Sequence, residues 1–177
     1  YMNRLWVVGL ALAAVFTPAY GASGDDEFLA AREAFRTGNY ARLEKHAAKM
    51  MGHLLEPYVN YWQLTMRLEQ ASPGDARAFL AANRDSPLSE RLRTEWLKTL
   101  GRREQWDLFD AELPHFAGDD IAITCYALQS RLRVHPAESL QEARPLWFVA
   151  RDLPESCTPL FNALAQAGML SNDALWM

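Results

Sequence analysis

Two cysteines, four histidines and the Glu-Ser pair at Glu155-Ser156 are the residues of this chain whose types could carry chemistry, and their spacing decides how much. Cys125 and Cys157 are the only cysteines. A nucleophilic cysteine needs a neighbouring base and an orienting group, whereas two cysteines in an exported chain are the makings of one structural bridge. His46, His53, His115 and His135 show no zinc-like spacing. They are expected as solvated surface residues, and neither a metal nor a cofactor is expected.

The bridge presupposes export, and the N-terminus supports it. Arg4 is the only charge before Asp25, Leu5–Phe16 is apolar, and Ala19 and Gly21 put small residues at a cleavage site. The reading is a signal peptide over residues 1–21 and a mature chain over 22–177. The apolar run is shorter than the roughly 20 residues of a membrane span, and no later stretch is uncharged for that long, so no transmembrane span is expected. Cleavage removes only Arg4 among the charged residues and moves the net charge from −4 to −5. Such a chain has no electrostatic footprint for nucleic acid. Half of the residues are hydrophobic, which excludes disorder and supplies a core for one domain.

The elements that position these residues are helices. Apolar residues recur at helical spacing nearly throughout, and no alternating β-branched run is long enough for a strand. Helices are predicted over 25–37, closed by Gly38, and over 39–51, and from Pro57, with Tyr58, Tyr61, Trp62, Thr65 and Leu68 as its stripe. Ser72-Pro73 and Ser86-Pro87 each place a capping oxygen before a proline start. The second of these helices should close at Gly101. Further helices are predicted over 104–113, 119–133, 137–151 and 156–167, with another starting at Ser171. Pro145 falls inside one of them, so either that helix is kinked there or a new one begins at Arg144-Pro145. Taken in pairs the helices start about 30 to 37 residues apart, the rhythm of an all-α solenoid of stacked antiparallel hairpins. The chain stops at Ala174-Leu175-Trp176-Met177, inside a helix just begun, and reads as a fragment.

Three stretches carry a more specific signal: IAITCYALQSRL from Ile121, PLWFVARDLPESCTPLFNALAQAG from Pro145, and FLAANRDSPLSERLRTEWLKTLGRREQWDLFDAELP from Phe79. Their order resembles the N-terminal helical domain of soluble lytic murein transglycosylases. That resemblance implies a U-shaped superhelix in the periplasm, a cysteine pair in a similar arrangement, peptidoglycan glycan strands as partner, and downstream linker and lysozyme-like domains on the same chain. In such enzymes one glutamate, followed by serine, acts as general acid and then base and leaves a 1,6-anhydro-muramyl end. A Glu-Ser pair stands at Glu155-Ser156, in the turn before Cys157. No Gly-Leu-Met-Gln segment accompanies it. Ser156 is therefore expected to cap a helix, no residue is assigned a catalytic role, and the chain alone is expected to be inactive.

Two further groups could face substrate. The tryptophans and the Tyr58, Tyr61, Trp62 cluster could stack on sugar rings, but their helical spacing assigns Trp62, Trp96, Trp106 and Trp147 to the core. Arg91, Arg93, Lys98, Arg102 and Arg103 could meet peptide carboxylates, with a solvated helix face as the expectation. The rival to the enzyme-domain reading is a non-enzymatic periplasmic solenoid that binds a protein or peptide on its concave face.

Overall fold

A computed structural model describes residues 20–149 and 152–170. Among the described residues there are nine α-helices and two single 3-10 turns, and no strand. Residues 1–19 of the expected signal peptide, Ala150 and Arg151 at the end of the predicted 137–151 helix, and the helix start at Ser171 lie outside them.

Local chemistry sets most helix ends. The first helix, α1 (Tyr20–Arg36), stops at Gly38, whose φ of +68° suits a residue without a side chain. The N–H groups of Gly38 and Asn39 turn back to the carbonyls of Phe35 and Ala34. Asn39 then opens α2 (Tyr40–Ala47) by accepting the Arg42 N–H at 3.0 Å. Helix α3 (Glu56–Met66) carries Pro57 in its first turn. Helix α4 (Pro73–Ala82) starts with a reciprocal cap: Ser72 Oγ accepts the Asp75 N–H and Asp75 accepts the Ser72 N–H, both at 3.1 Å. Ser86 caps α5 (Pro87–Arg102) through the Leu88 N–H. Then follow α6 (Trp106–Glu112), a 3-10 turn at Leu113–His115, and α7 (Ile121–Leu132). The last elements are α8 (Pro136–Val149), a 3-10 turn at Glu155–Cys157 and α9 (Thr158–Gln166).

Helices pack chiefly against those one or two places along the chain, so the buried side chains fall into three successive cores. The first holds Leu43, Met50, Val59 and Trp62. The second is built on α5, whose Leu88, Leu92, Trp96, Leu97 and Leu100 meet Phe79, Phe109 and Ile123. The third holds Cys125, Leu128, Ala143, Cys157, Leu160 and Leu164. Helix α3 gives Trp62 to the first core and Leu64 to the second, and α7 gives Ile123 to the second and Cys125 to the third. This serial arrangement is the solenoid that the helix rhythm predicts, and it has no single centre.

Two local expectations change, at Gly101 and Ser156, and at Pro145 one of two alternatives drops out. Gly101 does not end α5: it is buried inside the helix, and Glu104, with φ of +54°, takes the left-handed position instead. Helix α8 runs on through Pro145 with no new start there. Pro145 and Gln141, whose carbonyl loses its helical partner, are both exposed, so water can take the freed acceptor. Ser156 does not cap α9; it sits in the preceding turn, and its hydroxyl is buried without a hydrogen-bond partner.

Candidate functional site

Helix α7 begins at Asp120, whose carboxylate accepts the N–H groups of Ala122 and Ile123 at 2.9 and 3.2 Å and pairs with Lys98 of α5 at 2.7 Å. Burial alone would raise this carboxyl, but Lys98 and the two N–H groups outweigh it and hold it below the ordinary aspartate value. One turn further on, Cys125 faces the third core. Its sulfur is bonded to that of Cys157, with Cα atoms 5.0 Å apart, inside the range open to a disulfide. Both cysteines are fully buried. The bridge ties α7 to the turn that starts α9, and Gln129 reinforces the same joint by donating to the Ser156 carbonyl at 2.6 Å.

Glu155 stands in that turn and is exposed. A general acid needs a carboxyl kept protonated by a desolvating site, and an exposed carboxylate has no such help. Among the described residues, no group of three or more histidines, cysteines, aspartates or glutamates could hold a metal ion.

The histidines divide. His115 and His135 are exposed, but His46 is not the solvated residue expected: its side chain is 17 % exposed and Nδ1 lies 2.6 Å from Glu27 Oε2. Hydrogen bonds from His46, and next from Lys49, hold the Glu27 carboxyl below its ordinary range. His53 is half-buried and Nδ1 accepts the Leu55 N–H. Sequence spacing missed the His46–Glu27 contact because the two residues stand on different helices, 19 positions apart.

Trp62 and Trp96 are buried, and Trp106 packs at the edge of the second core. Trp147 departs from the core assignment: it is 38 % exposed, with its ring edge-on to Phe161 at 5.0 Å. The basic residues are largely engaged. Arg93 pairs with Glu90, Lys98 with Asp120 and Arg102 with Glu69, and Arg103 donates to the Glu69 carbonyl. Arg93 also lines a cavity of ≈ 410 Å³ together with Arg77 and Arg84 of α4 and its following turn. Those two arginines escape a reading by sequence runs, because the cluster forms only when α4 packs on α5. Arg84 stands beyond the end of α4, in the turn, so no helical stripe marks it together with Arg77.

Comparison with known proteins is consistent in direction. No protein-family model matches the chain. A soluble lytic murein transglycosylase of Escherichia coli K12 is 25 % identical over 168 residues, which is 93 % of this chain and 26 % of that protein. One of Salmonella typhimurium is 26 % identical over 114 residues, 64 % of this chain and 18 % of its own length. Among solved structures, the lytic transglycosylase Slt of Pseudomonas aeruginosa superposes with a TM-score of 0.65 at 28 % identity, over 85 % of this chain and 24 % of that one. The 70 kDa soluble lytic transglycosylase of Escherichia coli also gives 0.65, at 21 % identity, a likeness of fold alone. The chain thus spans about a quarter of the length of these relatives.

Proposed function

Because the chain is homologous to soluble lytic murein transglycosylases over most of its length, we propose that it forms the helical domain of such an enzyme, acting in the periplasm. In this reading residues 1–21 direct export and are removed, and residues 22–177 stack as a superhelix that holds peptidoglycan for a lysozyme-like domain carried elsewhere on the full-length protein. The observation that supports it most is the joint agreement of fold and sequence, 28 % identity at a TM-score of 0.65 across 85 % of the chain. The buried Cys125–Cys157 bridge fits an oxidising compartment. No helix among the described residues is long and apolar enough to cross a membrane.

The division of labour follows from the side chains. Glu155 is exposed and without a desolvating site, so bond cleavage belongs to the other domain and this one contributes position. Holding a substrate strand steady lowers the entropic cost of the reaction elsewhere on the enzyme. The test is chemical: residues 22–177 incubated with purified peptidoglycan sacculi release no 1,6-anhydro-muropeptides. Release that Glu155→Gln abolishes would overturn the assignment.

A further inference from the structure

The cavity between α4, α5 and the turn after α6 gathers three arginines of this acidic chain. Its walls carry Arg77, Arg84 and Arg93, with His115 nearby and Glu112 as the one carboxylate. Two of the arginines are held by partners that leave donors free. Arg77 gives its Nε–H to the buried Glu112 at 2.8 Å and lays its guanidinium over Trp96, 5.9 Å from the ring centroid, so its terminal nitrogens remain available. Arg93, only 16 % exposed, gives Nη1 to Glu90 at 2.6 Å, while its Nε–H is buried with no partner. Arg84 enters no ion pair among the described residues.

A solvated helix face does not look like this. Exposed arginines sample many rotamers, whereas Arg77 is held by a buried glutamate and an indole face and Arg93 by Glu90 one turn back on its own helix. Two of the three guanidinium groups are thus preorganised for an anion, with exposed Arg84 beside them. An unpaired buried guanidinium N–H is an unfavourable state that an incoming acceptor relieves. Glu112 takes up one of the three guanidinium charges through Arg77, and a singly charged, planar carboxylate can meet the remaining donors in two parallel hydrogen bonds.

We propose that this cavity binds a free carboxylate of the peptides carried on peptidoglycan strands; the proposal rests on the murein reading above. The domain then grips its substrate by the peptide at this cavity, while Trp62 and Trp96 stay in the cores.

The test is calorimetric titration of residues 22–177 with N-acetylmuramyl-tetrapeptide as the free acid, with the same compound after amidation of its carboxyls, and with inorganic phosphate. The free acid should bind about tenfold or more tightly than the amide, and Arg84→Gln should weaken it by a similar factor with the melting temperature unchanged. Arg77→Gln gives a second arm, with folding checked by circular dichroism. Equal binding of acid and amide, indifference to both substitutions, or phosphate binding as well as the tetrapeptide overturns the site. If the acid binds as stated while the protein ignores whole sacculi, the site stands and the murein reading fails. If sacculi are bound but amidation has no effect, the murein reading stands and the site fails.

Discussion

Gly101 of α5 lies directly beneath the ring of Tyr126 of α7: a Cβ placed on it would sit 2.6 Å from Tyr126 Cδ2 and 2.7 Å from Cδ1. The absence of a side chain is what lets the two helices meet where the second core passes into the third. In an ordinary helix interior, glycine to alanine stabilises by about 0.5–1 kcal/mol. Here Gly101→Ala is expected to destabilise by about 1–3 kcal/mol through overpacking, a loss of several degrees in melting temperature. With Tyr126→Ala already in place, adding Gly101→Ala should cost nothing. A melting temperature unchanged by Gly101→Ala alone would show that the ring moves aside freely.

Helix α5 ends in the same geometry as α1 and α9. The N–H groups of Glu104 and Gln105 turn back to the carbonyls of Gly101 and Leu100. At α1 and α9 the left-handed residue is glycine, Gly38 and Gly168, but at α5 it is Glu104. Glu104→Gly should therefore stabilise the protein by up to about 1 kcal/mol, in contrast to most substitutions toward glycine. Urea titration decides it: a lower midpoint for the variant contradicts the strain argument.

The Cys125–Cys157 bridge closes a loop with a sequence separation of 32. In the chain-entropy account such a link is worth roughly 3 to 4 kcal/mol, a large part of a stability of about 5–15 kcal/mol. Its effect should be strong in a solenoid, where each core depends on its neighbours. Cys125→Ser or Cys157→Ser should lower the melting temperature of oxidised protein, and wild type and Cys157→Ser should converge once dithiothreitol is added. Two titratable thiols in protein purified from the periplasm would remove the bridge.

Asp120 makes stability depend on pH in a definable direction. Its carboxyl is held below 3.8 in the folded protein by Lys98 and the α7 N–H groups, against the opposing push of burial. The stabilisation it gives is thus present above about pH 4, near the unfolded value, and disappears as pH falls through the lower folded value. At neutral pH, Asp120→Ala should cost about 1 to 2 kcal/mol as a lost helix cap. The gap between wild type and variant should narrow in urea titrations carried below pH 4, and a gap that stays constant there would separate the cap from the carboxylate charge.

Much of this fold was legible because its punctuation is local. Ser72 and Ser86 cap where the sequence places them, and the solenoid rhythm follows from the spacing of helix starts. What the sequence hid depends on partners far along the chain. Gly101 reads as a terminator until Tyr126 packs on it, and Ser156 reads as a cap until Cys157 draws its turn into the core. His46 finds Glu27 only when α1 and α2 are antiparallel, and Trp147 loses part of its burial at the outer face of α8. The arginine cavity is hidden for the same reason, because Arg93 joins Arg77 and Arg84 only through the packing of α4 on α5.

The central claim is that this superhelix holds peptidoglycan without cutting it, and co-sedimentation tests it most directly. Purified, folded and oxidised residues 22–177 are mixed with insoluble sacculi and centrifuged. The protein should pellet with the murein in a saturable manner while the supernatant stays free of anhydro-muropeptides. Protein that remains in the supernatant at every sacculus concentration, with its helical circular-dichroism spectrum intact, would contradict the account.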